Sequence, residues 1–230
     1  EKNPYNQIVY TRNPQKTREW NMPFFYYDKK WIFPEQTTES IHLFFLDTQI
    51  IDPEYTISFF SEQKEKGKNM RMMSERFYEK QLRWVHHAIS SSSSRWKIIC
   101  GHYPVFSQGV HSKSKKTSQI ILALIRQYKI DVYFSGHDHN SEVFEYFIPD
   151  IRHKCLFVVS GGMAEKRPSR DEVLPFVSSE TTTTLPAVKR IFTSPVEGVF
   201  EVCLHNPHEL QLSFLSTQDK ATTFYYQKNK

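Results

Sequence analysis

Two apolar runs in this chain each end in a glycine followed by a histidine, and this shared ending constrains the fold more than any other feature. The first run continues into Gly101-His102 and the second into Gly136-His137, with His139 two positions further on. Short runs of β-branched and aromatic residues indicate buried strands. Ligands of open α/β sheets bind at the carboxyl ends of such strands. We therefore expect His102, His137 and His139 to meet at one metal centre.

The residues between the two runs predict that the runs are parallel neighbours. An apolar face formed by Ile121, Leu122, Leu124 and Ile125 predicts a helix from Ser118 to Tyr128. A strand, a helix and a second strand at this spacing form a βαβ unit, whose two strands point the same way. Both Gly-His turns are then expected at the same edge of the sheet.

The rest of the chain predicts a mixed α/β fold in a single domain over residues 1–230. Upstream of the first run we expect a central strand at residues 41–48, a charged loop at 53–68 and a helix that follows Ser74 and runs through Ala88. Downstream of Asn140, alternating apolar and polar residues predict antiparallel strands at residues 142–148, 155–160, 198–204, 209–216 and 222–227. Residues 163–192 are expected to form a long irregular excursion.

The composition excludes several other kinds of protein. Charged residues make up 24% and aromatic residues 15% of the chain, which favours a packed interior over disorder. The net charge of +5 comes without a nucleic-acid-binding motif, so we expect a mildly basic surface and no nucleic-acid partner. No apolar run reaches the length of about 18 residues that a transmembrane segment needs. Three widely spaced cysteines in apolar runs predict buried thiols, not disulfide bonds or a thiolate metal site.

The three histidines suit a transition-metal ion, because imidazole binds zinc, iron and manganese. They do not complete a two-metal site, in which the ions lie about 3.5–4 Å apart and a carboxylate normally bridges them. The nearest carboxylates are Asp138 and, further off, Asp47, for which we expect a structural hydrogen-bonding role. The site is therefore either a single ion, as in three-histidine zinc hydrolases, or a pair whose missing carboxylates lie upstream of Glu1.

Several motifs taken together resemble the purple acid phosphatases, most closely the small, tartrate-resistant type within the calcineurin-like metallophosphoesterases. They are Gly101-His102-Tyr103-Pro104, then His111, then Gly136-His137-Asp138-His139-Asn140. The segments Trp20-Asn21-Met22-Pro23 with Tyr26, and Leu46-Asp47-Thr48, are similar to that family in the same order and at compatible distances. The resemblance covers most of the chain and is faintest at residues 53–68 and 165–195.

The resemblance implies a four-layer α/β/β/α sandwich around a dinuclear metal site. It implies that His102 and His137 bind the exchangeable second metal, a divalent iron, zinc or manganese ion, and that His139 binds a ferric ion, Fe(3+). His111 matches a histidine that contacts the substrate phosphate or protonates the leaving group. The implied activity is an acid phosphatase acting on phosphate monoesters, with small phosphate esters, phosphoproteins or nucleotides as substrates, in a secreted or lysosome-like compartment.

Three motifs of that family are absent from this chain, namely GDxG, GDxxY and GNH. They supply the bridging carboxylate, a tyrosinate and further ligands, and in the family they come first. We therefore expect this chain to be the C-terminal two thirds of the domain, with its N-terminal part missing, and to be inactive or nearly so by itself. Two alternatives stay open: a non-catalytic scaffold or anchoring protein on the same fold, and a mononuclear three-histidine hydrolase.

Overall fold

The computed structural model describes residues 8, 22–33, 36–52, 64–109, 114–162, 187–194, 196–218 and 221–228. Apolar runs and amphipathic stretches in these segments form the strands and helices of a mixed α/β chain. In chain order, these elements are β1 (Tyr27–Phe33), β2 (Gln36–Phe45), α1 (Thr48–Ile51), α2 (Lys64–Ser90), β3 (Trp96–Cys100), α3 (Lys115–Tyr128), β4 (Val132–Ser135), β5 (Ser141–Ile148), β6 (His153–Ser160), β7 (Ala187–Ser194), β8 (Gly198–Asn206), β9 (Glu209–Ser216) and β10 (Ala221–Gln227).

Seven of these strands form one mixed sheet, in the order β1-β2-β3-β4-β6-β5-β7. Its centre is parallel, because β2, β3, β4 and β6 pair in the same direction. At one edge β1 pairs antiparallel, and at the other edge β5 and β7 do so. The parallel pairing of β3 with β4, which α3 connects, confirms the predicted βαβ unit. The loops that follow β3 and β4 consequently leave the same edge of the sheet.

Both faces of the large sheet are covered, as two neighbouring residues of β3 show. Ile99 is buried in a core that it shares with α2 and α3, whereas Ile98 is buried in a core that it shares with the second sheet. Successive side chains of a strand point to opposite faces, so one strand serves both cores. The second sheet is an antiparallel meander in the order β10-β9-β8. The helices α2 and α3, the large sheet and the second sheet form three of the four layers of the expected α/β/β/α sandwich.

Helix α3 illustrates how local sequence sets the bounds of an element. Ser114 caps its amino end, because the Ser114 hydroxyl accepts a hydrogen bond from the Thr117 N–H at 3.0 Å. At the carboxyl end, Lys129 adopts a left-handed conformation and its N–H donates to the carbonyl of Ile125. The helix therefore begins at Lys115, three residues before the predicted start, and its apolar face packs in the first core.

Two predictions about the less regular parts of the chain were wrong. Helix α2 begins at Lys64, inside the stretch expected to be a charged loop, because the lysines and glutamates of that stretch are good helix formers. Strand β7 lies inside the expected irregular excursion, where its β-branched residues pair with β5 at the edge of the sheet. The remainder of both stretches, residues 53–63 and 163–186, lies outside the described residues.

The three cysteines are free thiols, as the sequence predicted. Cys155 is fully buried in β6, and Cys100 and Cys203 are half-buried. Burial raises the pKa of the Cys100 thiol to about 12. Burial therefore favours the protonated form of the Cys100 thiol at neutral pH.

Candidate metal centre

The turn that follows β3 is held in place by tight contacts around Gly101. A Cβ at Gly101 would lie 2.6 Å from the Tyr133 hydroxyl and 2.7 Å from Cγ2 of Thr48, so this position leaves no room for a side chain. The Thr48 hydroxyl accepts hydrogen bonds from the N–H groups of His102 and Tyr103, at 3.0 and 3.3 Å. The Tyr133 hydroxyl donates to the Tyr103 carbonyl at 2.6 Å. These contacts fix the backbone that carries the His102 ring.

The turn that follows β4 has His137 at its centre in a strained conformation. His137 has φ of 64°, and the Asp138 N–H donates to the Gly136 carbonyl at 2.7 Å. Together they define a γ-turn of the rare, positive-φ kind. The sequence placed the sharp turn at Gly136, but none of the described glycines has positive φ. The histidine itself takes the left-handed conformation, and the Gly136 N–H ties this turn to the His102 carbonyl at 3.0 Å.

These two turns bring the His102 and His137 rings into contact. Nδ1 of His137 lies 3.1 Å from Nε2 of His102, and the ring centroids are 4.9 Å apart at 73°. The Tyr103 ring packs against His137 with its centroid 4.7 Å away. His102 keeps an exposed surface, while desolvation by the surrounding protein lowers the pKa of its imidazole. Desolvation thus favours the neutral form of the His102 imidazole, which is the form that binds metal ions.

The third predicted ligand, His139, does not complete a cluster. Among the described residues, no group of three or more histidine, cysteine, aspartate or glutamate side chains is arranged to hold a metal ion. The structure therefore brings together the pair His102 and His137, and leaves the half-buried His139 outside a three-ligand group. His111, the predicted substrate-pocket histidine, lies outside the described residues.

The geometry of the pair fits two ligands of one transition-metal ion. In a tetrahedral site with bonds of about 2.0–2.1 Å, two imidazole nitrogens lie about 3.4 Å apart. The observed separation of 3.1 Å is within a few tenths of an ångström of that value, so a small rotation of either ring is sufficient. The donor set is two nitrogens, and the described residues add no bridging carboxylate. They therefore fit one half of a metal site, and no reaction step follows from them alone.

Of the two nearby aspartates, Asp47 has a structural role and Asp138 is buried. The Asp47 carboxylate caps α1, accepting from the N–H groups of Gln49 and Ile50 at 3.0 and 3.3 Å. Burial raises the pKa of Asp47, and these two hydrogen bonds oppose the rise. The Asp138 side chain is buried against Gly109, where any Cβ would overlap its carboxyl group. Asp47 thus performs the hydrogen-bonding role that the sequence predicted.

Sequence reasoning missed Tyr133, whose hydroxyl supports the first histidine turn, and Glu142, a buried carboxylate beside the second turn. Tyr133 looks like an ordinary aromatic residue of a buried strand, and nothing local distinguishes its hydroxyl. Glu142 gave a usable signal, because it is a charged residue at the start of a mostly apolar strand that directly follows the second histidine loop.

A comparison with known families decides where this arrangement belongs. The model of the calcineurin-like phosphoesterases matches residues 8–141, a segment that contains both histidine turns. The chain belongs to the calcineurin-like phosphoesterase family. Members of this family are phosphoesterases by name, which agrees with the resemblance inferred from the Gly-His motifs.

The relatives include named acid phosphatases. Tartrate-resistant acid phosphatase type 5 of Sus scrofa is 27% identical over 164 residues, which cover 71% of this chain and 44% of the relative. Purple acid phosphatase 17 of Arabidopsis thaliana is 29% identical over 117 residues, which cover 49% of this chain and 33% of the relative. The chain thus spans less than half the length of these relatives.

Two solved structures share the fold. GAP50, the anchor in the inner membrane complex of Plasmodium, superposes with a TM-score of 0.67 at 19% identity, covering 99% of this chain and 62% of that chain. The purple acid phosphatase PPD1 of yellow lupin seeds superposes with a TM-score of 0.55 at 14% identity, covering 89% of this chain and 33% of that chain. At these identities the likeness establishes the metallophosphoesterase fold and no more. None of the helices in the described part of the chain has an apolar stretch that could span a bilayer.

Proposed function

We propose that the protein containing this chain is a metal-dependent acid phosphatase that hydrolyses phosphate monoesters. The observation that carries the proposal is the 3.1 Å contact between His102 and His137, at the ends of adjacent parallel strands in a phosphoesterase family member. The acid phosphatases among its relatives point to the same substrate class. Small phosphate esters, including nucleotides or phosphoproteins, in a secreted or lysosome-like compartment are the proposed setting.

Each histidine has a proposed role. His102 and His137 hold one divalent ion of iron, zinc or manganese, His139 is a ligand of a ferric ion, and His111 contacts the phosphate or protonates the leaving group. When bound, a metal pair of this kind supplies a water of lowered pKa and neutralises charge on the phosphoryl oxygens. The chain's own contribution is to hold the two imidazoles together at the strand ends, with His102 exposed to the solvent from which a substrate arrives.

A second candidate function is that of a non-catalytic scaffold on the same fold. The described residues contain a pair of candidate ligand side chains and no group of three. The superposable GAP50 is named as an anchor in a membrane complex, which is a precedent for this use of the fold.

The experiment that separates the two functions uses the full-length protein. Metal content measured by mass spectrometry is expected to be two ions per chain, with turnover of p-nitrophenyl phosphate. His102→Ala and His137→Ala should each lose bound metal and most turnover, while the control His87→Ala, at an exposed position on α2, should keep both. A folded wild-type protein with no metal and no turnover would support the scaffold, and one ion per chain would support a mononuclear hydrolase.

A further inference from the structure

Glu142 is a buried carboxylate that neither metal binding nor the folding pattern of its strand requires. It is the second residue of β5 and has no solvent exposure, although its neighbours on the strand are mostly apolar. Burying a carboxylate is costly unless hydrogen bonds and a counter-charge offset the loss of water. Burial raises the pKa of Glu142, and the hydrogen bonds that it accepts oppose the rise. The hydrogen bonds and the ion pair of this carboxylate must therefore offset the cost of its burial, and they show what it connects.

Those contacts join the two histidine loops. Oε2 of Glu142 accepts hydrogen bonds from the Gln108 N–H at 3.1 Å and the Ser107 hydroxyl at 3.2 Å, both in the segment that follows His102. The same oxygen accepts from Nδ2 of Asn140 at 3.0 Å, in the loop that carries the other two histidines. One carboxylate oxygen thus binds a donor from each loop.

The charge of Glu142 is matched from the edge of the sheet. Arg190 of β7 places a guanidinium nitrogen 3.5 Å from Oε1 of Glu142, and the arginine side chain is mostly buried. The Arg190 charge opposes the rise in the pKa of Glu142 that burial causes, and this pair leaves Oε2 for the loops. Hydrogen bonds to an ionised carboxylate are about twice as strong as neutral ones, so a glutamate can tie the two loops more firmly than a neutral side chain can.

Apolar packing beside Glu142 holds the same segment on the same face of the sheet. The Phe106 ring packs 4.7 Å from Phe157 and 6.2 Å from Phe144, measured between centroids. Phe106 is buried and so keeps the segment attached, but an apolar contact does not fix the distance between two loops as a directed hydrogen bond does. The hydrogen bonds of Glu142 therefore fix the position of one loop relative to the other, whereas the aromatic cluster keeps the segment buried.

We propose that Glu142 is a positioning residue that holds residues 101–109 against residues 136–140 and so sets the separation of the His102 and His137 rings. The proposal rests on the proposed function in one respect only, since the consequence for metal affinity requires these two rings to be ligands. Partners that orient metal ligands typically change metal affinity 10- to 100-fold when they are mutated.

The test compares Glu142→Gln and Glu142→Leu with a matched control, Glu145→Gln, in the full-length protein. Glu145 lies on the same strand, is one third exposed and pairs with Lys154 at 3.0 Å. In the metal-free protein with labelled histidines, NMR cross-peaks between the His102 and His137 ring protons report their contact directly. Titration with Co2+ alone, followed by its visible absorption, reports metal affinity.

The expected result is that Glu142→Leu loses the cross-peaks and binds Co2+ 10- to 100-fold more weakly, with Glu142→Gln intermediate and Glu145→Gln unchanged. Unchanged cross-peaks in both Glu142 variants, with Co2+ affinity within twofold of wild type, would overturn the proposal. If wild type binds no Co2+ but the Glu142 variants lose the cross-peaks, the proposed function fails and the positioning role stands. If Glu142→Leu does not fold, Glu142→Gln decides by the same two measurements, because the amide is close in shape and keeps one acceptor oxygen.

Discussion

The positive φ of His137 predicts an inversion of the usual ranking of alanine and glycine. At ordinary helix and strand positions, glycine is less stable than alanine by about 0.5–1 kcal/mol, because it loses more backbone freedom on folding. At φ of 64° a side chain instead carries a steric cost of about 1–2 kcal/mol, which glycine does not have. Since both variants lack the imidazole, their difference isolates the backbone. We expect His137→Gly to be more stable than His137→Ala by about 1 kcal/mol.

Position 139 provides the matched control, since His139 is a described residue without positive φ. There His139→Ala should be more stable than His139→Gly, so the sign reverses two residues away. Urea unfolding of the metal-free proteins, followed by circular dichroism, measures both pairs. With a slope on the order of 2–3 kcal/mol per molar urea, the expected shift in midpoint is about 0.4 M in each direction. An alanine variant at position 137 that matches or exceeds the glycine variant in stability would refute the strained turn.

Two further perturbations test parts of the fold away from the histidine pair. Lys228 lies 2.7 Å from the fully buried Asp131. Lys228→Met should therefore lower the free energy of unfolding by about 3–5 kcal/mol, because it leaves the buried carboxylate without its counter-charge. Adding Asp131→Asn should recover part of this loss, as measured by urea unfolding. Equal stability of Lys228→Met and wild type would mean that the ion pair contributes nothing. Burial lowers the pKa of His153, whose Nε2 donates to the Ile130 carbonyl at 2.7 Å, so its folded-state pKa lies below the ordinary value of 6.5. The stability that neutral His153 contributes is present above pH 6.5 and is lost as the pH falls through the folded-state pKa. His153→Gln should therefore flatten the decline in unfolding free energy between pH 7.5 and 5. An unchanged decline would contradict this assignment.

The meeting of the two Gly-His turns was predictable from sequence, because it follows from general rules. A strand, helix and strand of this spacing form parallel neighbours, and parallel strands end at the same edge. The observed contact of His102 with His137 agrees with that expectation. The free cysteines and the hydrogen-bonding role of Asp47 were also predictable, although the helix that Asp47 caps was not.

The details of the centre depend on contacts that no local pattern contains. The sequence placed the sharp turn at Gly136, because glycine is the usual residue for such a turn, whereas the positive φ is at His137. The hydrogen-bond partners of Glu142 in the first loop lie 34 and 35 residues away along the chain, so only the assembled sheet brings them to it. The start of α2 was missed for a different reason, since a charge run suits a solvated helix as well as a loop.

The most direct test of the account is to locate a metal ion in crystals of the full-length protein soaked with Zn2+. An anomalous difference map at the zinc edge is expected to show a peak about 2.0–2.1 Å from Nε2 of His102 and from Nδ1 of His137. A well-occupied zinc site elsewhere, with these two rings still in contact and no peak between them, would contradict the claim that the two histidine turns form a metal centre.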